Sequence, residues 1–392
     1  MTTLPPKAQS TRPGIAKSIL ITIPMLLLTA LVIMGSVLGG SGDPDGLLVA
    51  SALLTWSGIN VLFFLMVWTQ KTWRWRAILF VVFALSMILV FSVAITSTRG
   101  STTLTQEDVY NGETPFCHLV IPMILLPAAL TNTIIFPGSM LEGFAAISFM
   151  LVLWIGASLV LGRAFCAWGC FYGGLDEGCS CIAKKPLIKK VDRKWTYLPW
   201  AILLIIVLSS AITLSPTYCE WLCPFKAVTE AAEVTSVITL IQTIIFLVIF
   251  AALVIILPIL TKKRTQCSLF CPFGAFQSLT NKITIFDVRI DTEKCVGCNR
   301  CIETCPTYSL DENCLKTGHT LLSCTRCGKC VDQCPKQAIH FHVKGTAPHK
   351  RPNLARSLFL YPAFLFLATF GGGTIASAIY YILKLITTGS MF

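Results

Sequence analysis

The sequence predicts a polytopic α-helical membrane protein into which a small α+β, cysteine-rich module is inserted. Three observations carry this prediction. Of 392 residues, 54% are hydrophobic and only 13% charged, a balance unlike that of soluble globular domains. Apolar stretches of about 20 residues, enough to cross a hydrocarbon core about 30 Å thick, recur along the chain. Nine of the 18 cysteines crowd into residues 295–334, between the short β-like runs Ile283–Ile290 and Ala338–Val343.

Taken in order, Lys7, Arg12 and Lys17 precede the apolar run Ser18–Gly39. That run is too long for a signal core and has no small-x-small site, so it is expected to remain as an anchor. Further spans are expected at Leu47–Thr69, Ala77–Thr96, Gly143–Gly162, Tyr197–Pro216, Ser236–Leu260 and Ser357–Leu383. Orientation follows from the short loops, because basic residues stay inside. The first loop has Asp43 and Asp45, the second Lys71, Arg74 and Arg76, which puts the N-terminus inside. Glu107, Asp108 and Glu113 then fall outside, and Lys184, Lys185, Lys189, Lys190, Arg193 and Lys194 inside. Both assignments hold only if the shorter stretch Leu119–Phe136, with Pro122 and Pro127, fails to cross. It is read as a re-entrant segment, tolerated where protein buries its backbone; a proline-kinked crossing stays open. The division is residues 1–264 transmembrane, 265–350 a cytoplasmic module and 351–392 a last transmembrane helix, in which Gly371–Gly373 mark a kink or close packing. The expected location is the inner (cytoplasmic) membrane. The net charge of +12 sits mostly beside apolar runs and reads as orientation charge; no nucleic-acid motif appears.

Cys295, Cys298, Cys301 and Cys305, followed by Pro306, give C-x2-C-x2-C-x3-C-P, and Cys324, Cys327, Cys330 and Cys334 with Pro335 repeat it. This is the spacing of bacterial two-cluster ferredoxins, in which the fourth cysteine of each run crosses to the other cluster. Cys295, Cys298, Cys301 and Cys334 are therefore assigned to one 4Fe-4S cluster, and Cys324, Cys327, Cys330 and Cys305 to a second. A three-plus-one spacing ending in Cys-Pro has little reason to exist for tetrahedral zinc.

Three more pairs share a C-x3-C spacing at expected membrane boundaries: Cys166 and Cys170, Cys219 and Cys223, Cys267 and Cys271. Residues four apart share a helical face, so each pair offers two converging thiolates and needs two more to complete a set. Buried cysteine is otherwise often a small hydrophobe. Gly162-Arg163-Ala164-Phe165-Cys166 with Cys170, then Cys267 to Phe276, then the two ferredoxin runs resemble the polyferredoxin-like membrane iron-sulfur proteins of the NapH, MauN and NosR type, over about residues 143–341. The resemblance implies an electron-transfer subunit that exchanges electrons with quinone and passes them through its clusters to a partner oxidoreductase. Phe171 stands where the family has proline, and the Cys219 pair is additional to the usual two.

Charge counting then sorts the pairs. Cys166, Cys170, Cys267 and Cys271 are expected to close a third cluster at the cytoplasmic boundary. Cys219 and Cys223 fall on the outer face with Cys117, next to His118, where a fourth cluster, a disulfide or unligated thiols all remain open. Cys179 and Cys181 could replace an inner pair; Cys314 reads as a buried thiol; His340 and His342 read as packing residues, and His319 and His349 carry no signal. The expected function is relay of single electrons between a cytoplasmic or quinone-linked donor and a redox partner protein, more in keeping with a subunit than a stand-alone enzyme. A redox-sensing or maturation protein is the second reading. A quinol-oxidising site near Trp221, Phe225, Lys226 and Glu230 is the third.

Overall fold

The computed structural model describes residues 13–39, 45–98, 117, 121–133, 147–189, 191–229, 234–347 and 352–391. Among them six helices are long and apolar enough to cross a membrane. They are α1 (Ile15–Leu38), α2 (Gly46–Thr69), α3 (Thr72–Thr98), α7 (Leu198–Thr213, extended by the turn Arg193–Tyr197), α8 (Val237–Thr261, carrying a π-helical stretch Phe250–Ile256) and α10 (Pro352–Thr388). Helices α1, α2, α3 and α10 pack together. The glycines of α10 serve that packing: a Cβ on Gly372 would lie 2.8 Å from Ile33 of α1, and one on Gly371 3.2 Å from the Phe83 ring of α3.

The shorter helix α4 (Ile121–Thr131) lies beside α7. Its 11 residues rise about 16 Å, roughly half a hydrocarbon core. Residues 118–120 and 134–146, which hold the ends of the expected re-entrant stretch, lie outside the described residues, as do Glu107, Asp108 and Glu113.

The expected span Gly143–Gly162 departs from a simple crossing. Helix α5 (Ile147–Val160) ends at Leu161, and the next turn, Gly162–Trp168, leaves at 107°. Its last carbonyls are taken by groups outside the helix, which ends it. Leu159 O accepts from Ile285 N (3.2 Å), Val160 O from Thr284 Oγ1 (3.1 Å) and Leu161 O from Arg326 Nη1 (2.6 Å). Gly162 adopts a left-handed φ of 51° against Asn281, whose Oδ1 would be 2.6 Å from any Cβ there.

Beyond the bend the chain makes a hairpin alongside α3. Arg76 of α3 donates to Ala167 O (2.6 Å) on the outgoing limb and to Glu177 on the returning one, so the stretch between leaves Arg76 and comes back. The return is α6 (Phe171–Ile182). Its Glu177 meets Arg76, Gly174 abuts Phe80 and Ala84, and Phe171 meets Phe91 edge-on at 5.7 Å. Cys170 and Phe171 are thus carried along α3 toward Phe91, away from the Arg76 end. A sharp bend and a hairpin stand where a plain crossing and a loop are expected from sequence.

The cysteine-rich module packs on the Arg76 end. Strands β1 (Phe286–Ile290) and β2 (Ile339–Val343) pair antiparallel, Phe286 opposite Val343 and Ile290 opposite Ile339, and β2 lies against α10. The module is joined to α3 at its first turn. Asp332 accepts from Thr72 N (3.1 Å) and Trp73 N (2.8 Å), satisfying two N–H groups a helix start leaves unpaired and placing a carboxylate at the positive dipole end. Lys329 lies 4.7 Å over the Trp73 ring. Arg356 of α10 ties the same corner, donating to Thr72 Oγ1, Gln70 Oε1 and Met66 O.

Gly372→Leu forces a side chain into Ile33 and is expected to lower stability by about 1–3 kcal/mol, read as a lower melting temperature in detergent. Gly35→Leu, where a Cβ meets nothing within 4 Å, should leave the melting temperature unchanged.

Candidate functional site

Two cavities in the module are walled by its cysteines. Cys295, Cys298, Cys301 and Cys334 line one that encloses about 350 Å³. Cys305, Cys324, Cys327 and Cys330 line another of about 330 Å³. Each loop curls round its cavity through paired left-handed residues: Gly297 (φ 66°) and Asn299 (55°) in the first, Arg326 (48°) and Gly328 (83°) in the second. Cys305 and Cys334 are extended (φ/ψ −59/119° and −69/116°), as the residue before proline must be. Their sulfurs accept from Ser309 N (3.3 Å) and Ala338 N (3.2 Å).

This donor set fits a 4Fe-4S cubane. All eight thiols are free. Among the described residues no three His, Cys, Asp or Glu side chains converge on a point that would hold a single metal ion. Zinc would draw its sulfurs to about 2.3 Å from one centre, whereas these stand apart around a hollow. Burial pushes the Cys301 and Cys327 thiols up to about 11, so a metal has to displace protons when it binds there.

The C-x3-C pairs share one backbone design. The second cysteine of each is extended, at φ/ψ −85/108° for Cys170, −76/107° for Cys223 and −65/114° for Cys271. Cys170 reaches this conformation although Phe171, not proline, follows. A wide turn closes on it, Cys170 N donating to Phe165 O (3.2 Å) and Cys271 N to Gln266 O (2.9 Å). A helix then starts at the cysteine, and Cys271 Sγ accepts from Gly274 N (3.4 Å) at the start of α9 (Pro272–Leu279). A sulfur there receives N–H groups and the favourable end of a helix dipole.

Cys166, Cys170, Cys267 and Cys271 come together. Burial pushes Cys271 up to about 12 with Cys166 adding to it, and Cys170 is raised by burial, Cys166 and Cys271. Buried arginines face this group. Arg264 Nη2 donates to Cys267 Sγ (3.2 Å) and Cys166 O (2.6 Å), and Arg163 Nη2 to Cys267 O (3.1 Å). Asp176 accepts from Cys267 N (2.9 Å); burial raises its carboxyl to about 7, partly offset by Arg264. Arg163 Nε, Arg264 Nε and Gln266 Nε2 are buried donors without partners, available to cluster sulfides, and Asp176 Oδ1 and Gln266 Oε1 are buried acceptors without partners.

Cys117, Cys219 and Cys223 gather next to this group. Phe225 stacks on Tyr172 at 3.6 Å, and Tyr172 Oη lies 3.8 Å from Cys117 Sγ. Burial pushes Cys223 up to about 12, with Cys117 beside it adding. Tyr218, fully buried with an unpartnered hydroxyl, faces Cys223, Cys271, Cys219 and Cys117 together. The sequence expectation put Cys117, Cys219 and Cys223 on the outer face, across the bilayer from the other cysteines. That separation is corrected to adjacency, because the hairpin carries Cys170 and Tyr172 along α3 to meet them. His118 and Glu230 lie outside the described residues. Lys226 sits 5.7 Å over the Phe246 ring. Cys179 and Cys181 lie at the outer turn of α6, and Cys314 is buried beside Asp311.

One carboxylate ties these groups to each other. Glu177 accepts both Oε atoms' bonds from Arg76 (2.6 and 2.7 Å) and lies 3.8 Å from Arg264. Arg76 also donates to Cys327 O (3.2 Å). Burial alone would raise Glu177, but Arg76 and then Arg264 outweigh it and hold it at about 2. Sequence reading took Arg76 for a loop charge, yet it and Arg264 are both fully buried. The overlooked signal is Glu177 itself, a carboxylate inside an apolar, glycine-rich stretch.

Comparison with known proteins agrees with this geometry. A 4Fe-4S dicluster domain family matches residues 287–335. A 4Fe-4S binding domain family matches three times, at residues 142–189, 196–236 and 243–290. Each match contains one apolar helix and one C-x3-C pair, so the repeat is longer than the cysteines alone. These matches support a likeness to polyferredoxin-like membrane 4Fe-4S proteins. The chain is 25% identical over 170 residues to the putative electron transport protein YccM of Escherichia coli, covering 42% of this chain and 46% of YccM. It is 29% identical over 164 residues to the uncharacterized protein MJ0750 of Methanocaldococcus jannaschii (40% and 63%), and 26% identical over 230 residues to the regulatory protein NosR of Stutzerimonas stutzeri (57% and 28%). The chain thus spans about half the length of the first of these relatives. No solved structure matches it.

Glu177→Ala leaves two guanidinium groups buried without a carboxylate, expected to cost about 3–5 kcal/mol. Thermal unfolding is the measurement, and Glu177→Gln, which keeps an oxygen acceptor, should lose less.

Proposed function

We propose that the chain relays single electrons through a row of 4Fe-4S clusters running from an exposed end of the cysteine module into the helical region. The observation that carries this is the contiguity of the cysteine groups. Cys298 is exposed, the Cys327 cavity abuts Arg76, Arg76 abuts the Cys166 loop, and Tyr172 and Tyr218 join that group to Cys117 and Cys223. Electron transfer needs such spacing and little else from the protein beyond tuning of the clusters.

On this reading Cys295, Cys298, Cys301 and Cys334 hold the outermost cluster, and Cys305, Cys324, Cys327 and Cys330 the second. Cys166, Cys170, Cys267 and Cys271 hold a third, and Cys117, Cys219 and Cys223 supply three thiolates to a fourth site. Cluster iron and sulfide carry the electron; the chain supplies thiolates, buried arginines and exclusion of water. Arg264, donating to Cys267 Sγ, stabilises negative charge gained on reduction, as hydrogen bonds to cluster sulfur do. A soluble redox partner meets the Cys298 end, and a membrane donor or acceptor the Tyr172 end. Residues 265–350 form the module that faces the cytoplasm at the inner membrane. The names of YccM and NosR, electron transport and regulatory respectively, support relay first and redox sensing second.

Cys298→Ser and Cys327→Ser should each remove or convert one of two distinct paramagnetic signals of the reduced protein while the chain still inserts in membranes. Unchanged iron content in both variants would sink the assignment. Because neither pair is sufficient alone, Cys166→Ala and Cys271→Ala should abolish one and the same species, and the double variant should lose no more. Loss of different species would mean the pairs serve separate clusters.

A further inference from the structure

A polar cavity of about 610 Å³, mouth included, opens between β1 and the second cysteine loop. Its charged lining is Lys282, Asp287, Arg289, His319, Arg326 and Lys344, and its inner wall reaches Cys324. The space inside the mouth is about 230 Å³, a little under the 300–1,000 Å³ of most small-molecule sites.

The charges there do not balance. Asp287, the one carboxylate, is already engaged by Arg289 Nε (2.8 Å) and His342 Nδ1 (2.9 Å). No carboxylate among the described residues pairs with Lys282, Arg326 or Lys344. Lys344 Nζ rests on the carbonyls of Asn281 (2.7 Å) and Lys282 (3.1 Å), and burial together with Arg326 lowers its pKa. Arg326 is only 3% exposed, yet its Nε has no partner. It also holds a left-handed φ of 48°, which side chains rarely adopt, where the first loop has Gly297. Nothing in wrapping a cluster calls for an arginine there, since Gly297 serves in the equivalent place. Arg326 Nη1 is used on Leu161 O (2.6 Å), but a buried guanidinium with an N–H left unpaired beside other cations is the arrangement that binds an anion.

We propose that this cavity binds a small organic phosphate, its anionic group held by Arg289, Arg326 and Lys344. Fixed cations on three sides suit a dianion's several oxygens, and the volume exceeds what a lone inorganic ion fills. The site rests on the cavity alone. Its consequence rests on the proposed ligation by Cys324: an anion there opposes addition of an electron to the second cluster, so occupancy lowers that cluster's potential and slows relay.

The test is calorimetry on the purified full chain in detergent, at about 150 mM salt so that diffuse attraction is screened, with pyrophosphate and ADP as probes. One saturable site is expected, weakened tenfold or more by Arg289→Gln and by Lys344→Gln and unchanged by Lys294→Gln on the first cysteine loop. Pyrophosphate should also shift the paramagnetic signal that Cys327→Ser removes, and not the one Cys298→Ser removes. Absence of saturable binding by either probe, or binding indifferent to Arg289→Gln and Lys344→Gln, overturns the site. Citrate binding as tightly as pyrophosphate overturns the phosphate assignment. A full chain that takes up no iron when iron and sulfide are supplied, yet still binds pyrophosphate, would sink the relay and leave the site standing.

Discussion

Everything that positions the cysteines depends on Glu177 lying between Arg76 and Arg264. A guanidinium can be buried in an apolar setting only beside a counter-charge with its N–H groups satisfied. Glu177 supplies the charge, and the carbonyls of Ala167, Cys166 and Cys327 take further donors, while Arg264 Nε stays unpaired beside the cysteines. One carboxylate therefore fixes α3, the hairpin, the segment before Cys267 and the second ferredoxin loop relative to each other. Gly173 makes the approach possible, because any Cβ there would fall 2.2 Å from Arg264 and 2.4 Å from Cys166 O.

What the sequence revealed and what it hid divide by range. The eight module cysteines were legible because their chemistry is local: two residues between thiols, a turn, a Cys-Pro. The strands fell where β-like runs flank the loops, and the long apolar helices followed from length alone. The hairpin did not, since Gly143–Gly162 is apolar enough to span, and only Gly162 and Arg163, reached by Asn281 and Gln277 far along the chain, mark the break. Residue types at 162 and 163 carry no hint of partners more than a hundred positions away.

Charge counting missed these contacts for a related reason. It treats each arginine as a solvated vote for one side of the membrane, which holds for Lys185 and Lys189, both exposed. Arg76, Arg264 and Arg356 are buried and serve the docking of one module on another. Placing Cys219 and Cys223 from loop charge assumed that the cysteines of other loops stay at their own boundary, and Cys170 does not.

The threefold repeat of helix plus cysteine pair carries a matter of parity. Each unit brings two sulfurs, so on the proposed reading units would complete each other two at a time, the first and third through Cys166, Cys170, Cys267 and Cys271. The middle unit is then odd, and its nearest supplement among the described residues is the single thiol of Cys117. A site built that way would be one protein sulfur short of a full set, and an outside ligand would have to complete it. Arithmetic of this kind separates a place where electrons only pass from one where something else can bind.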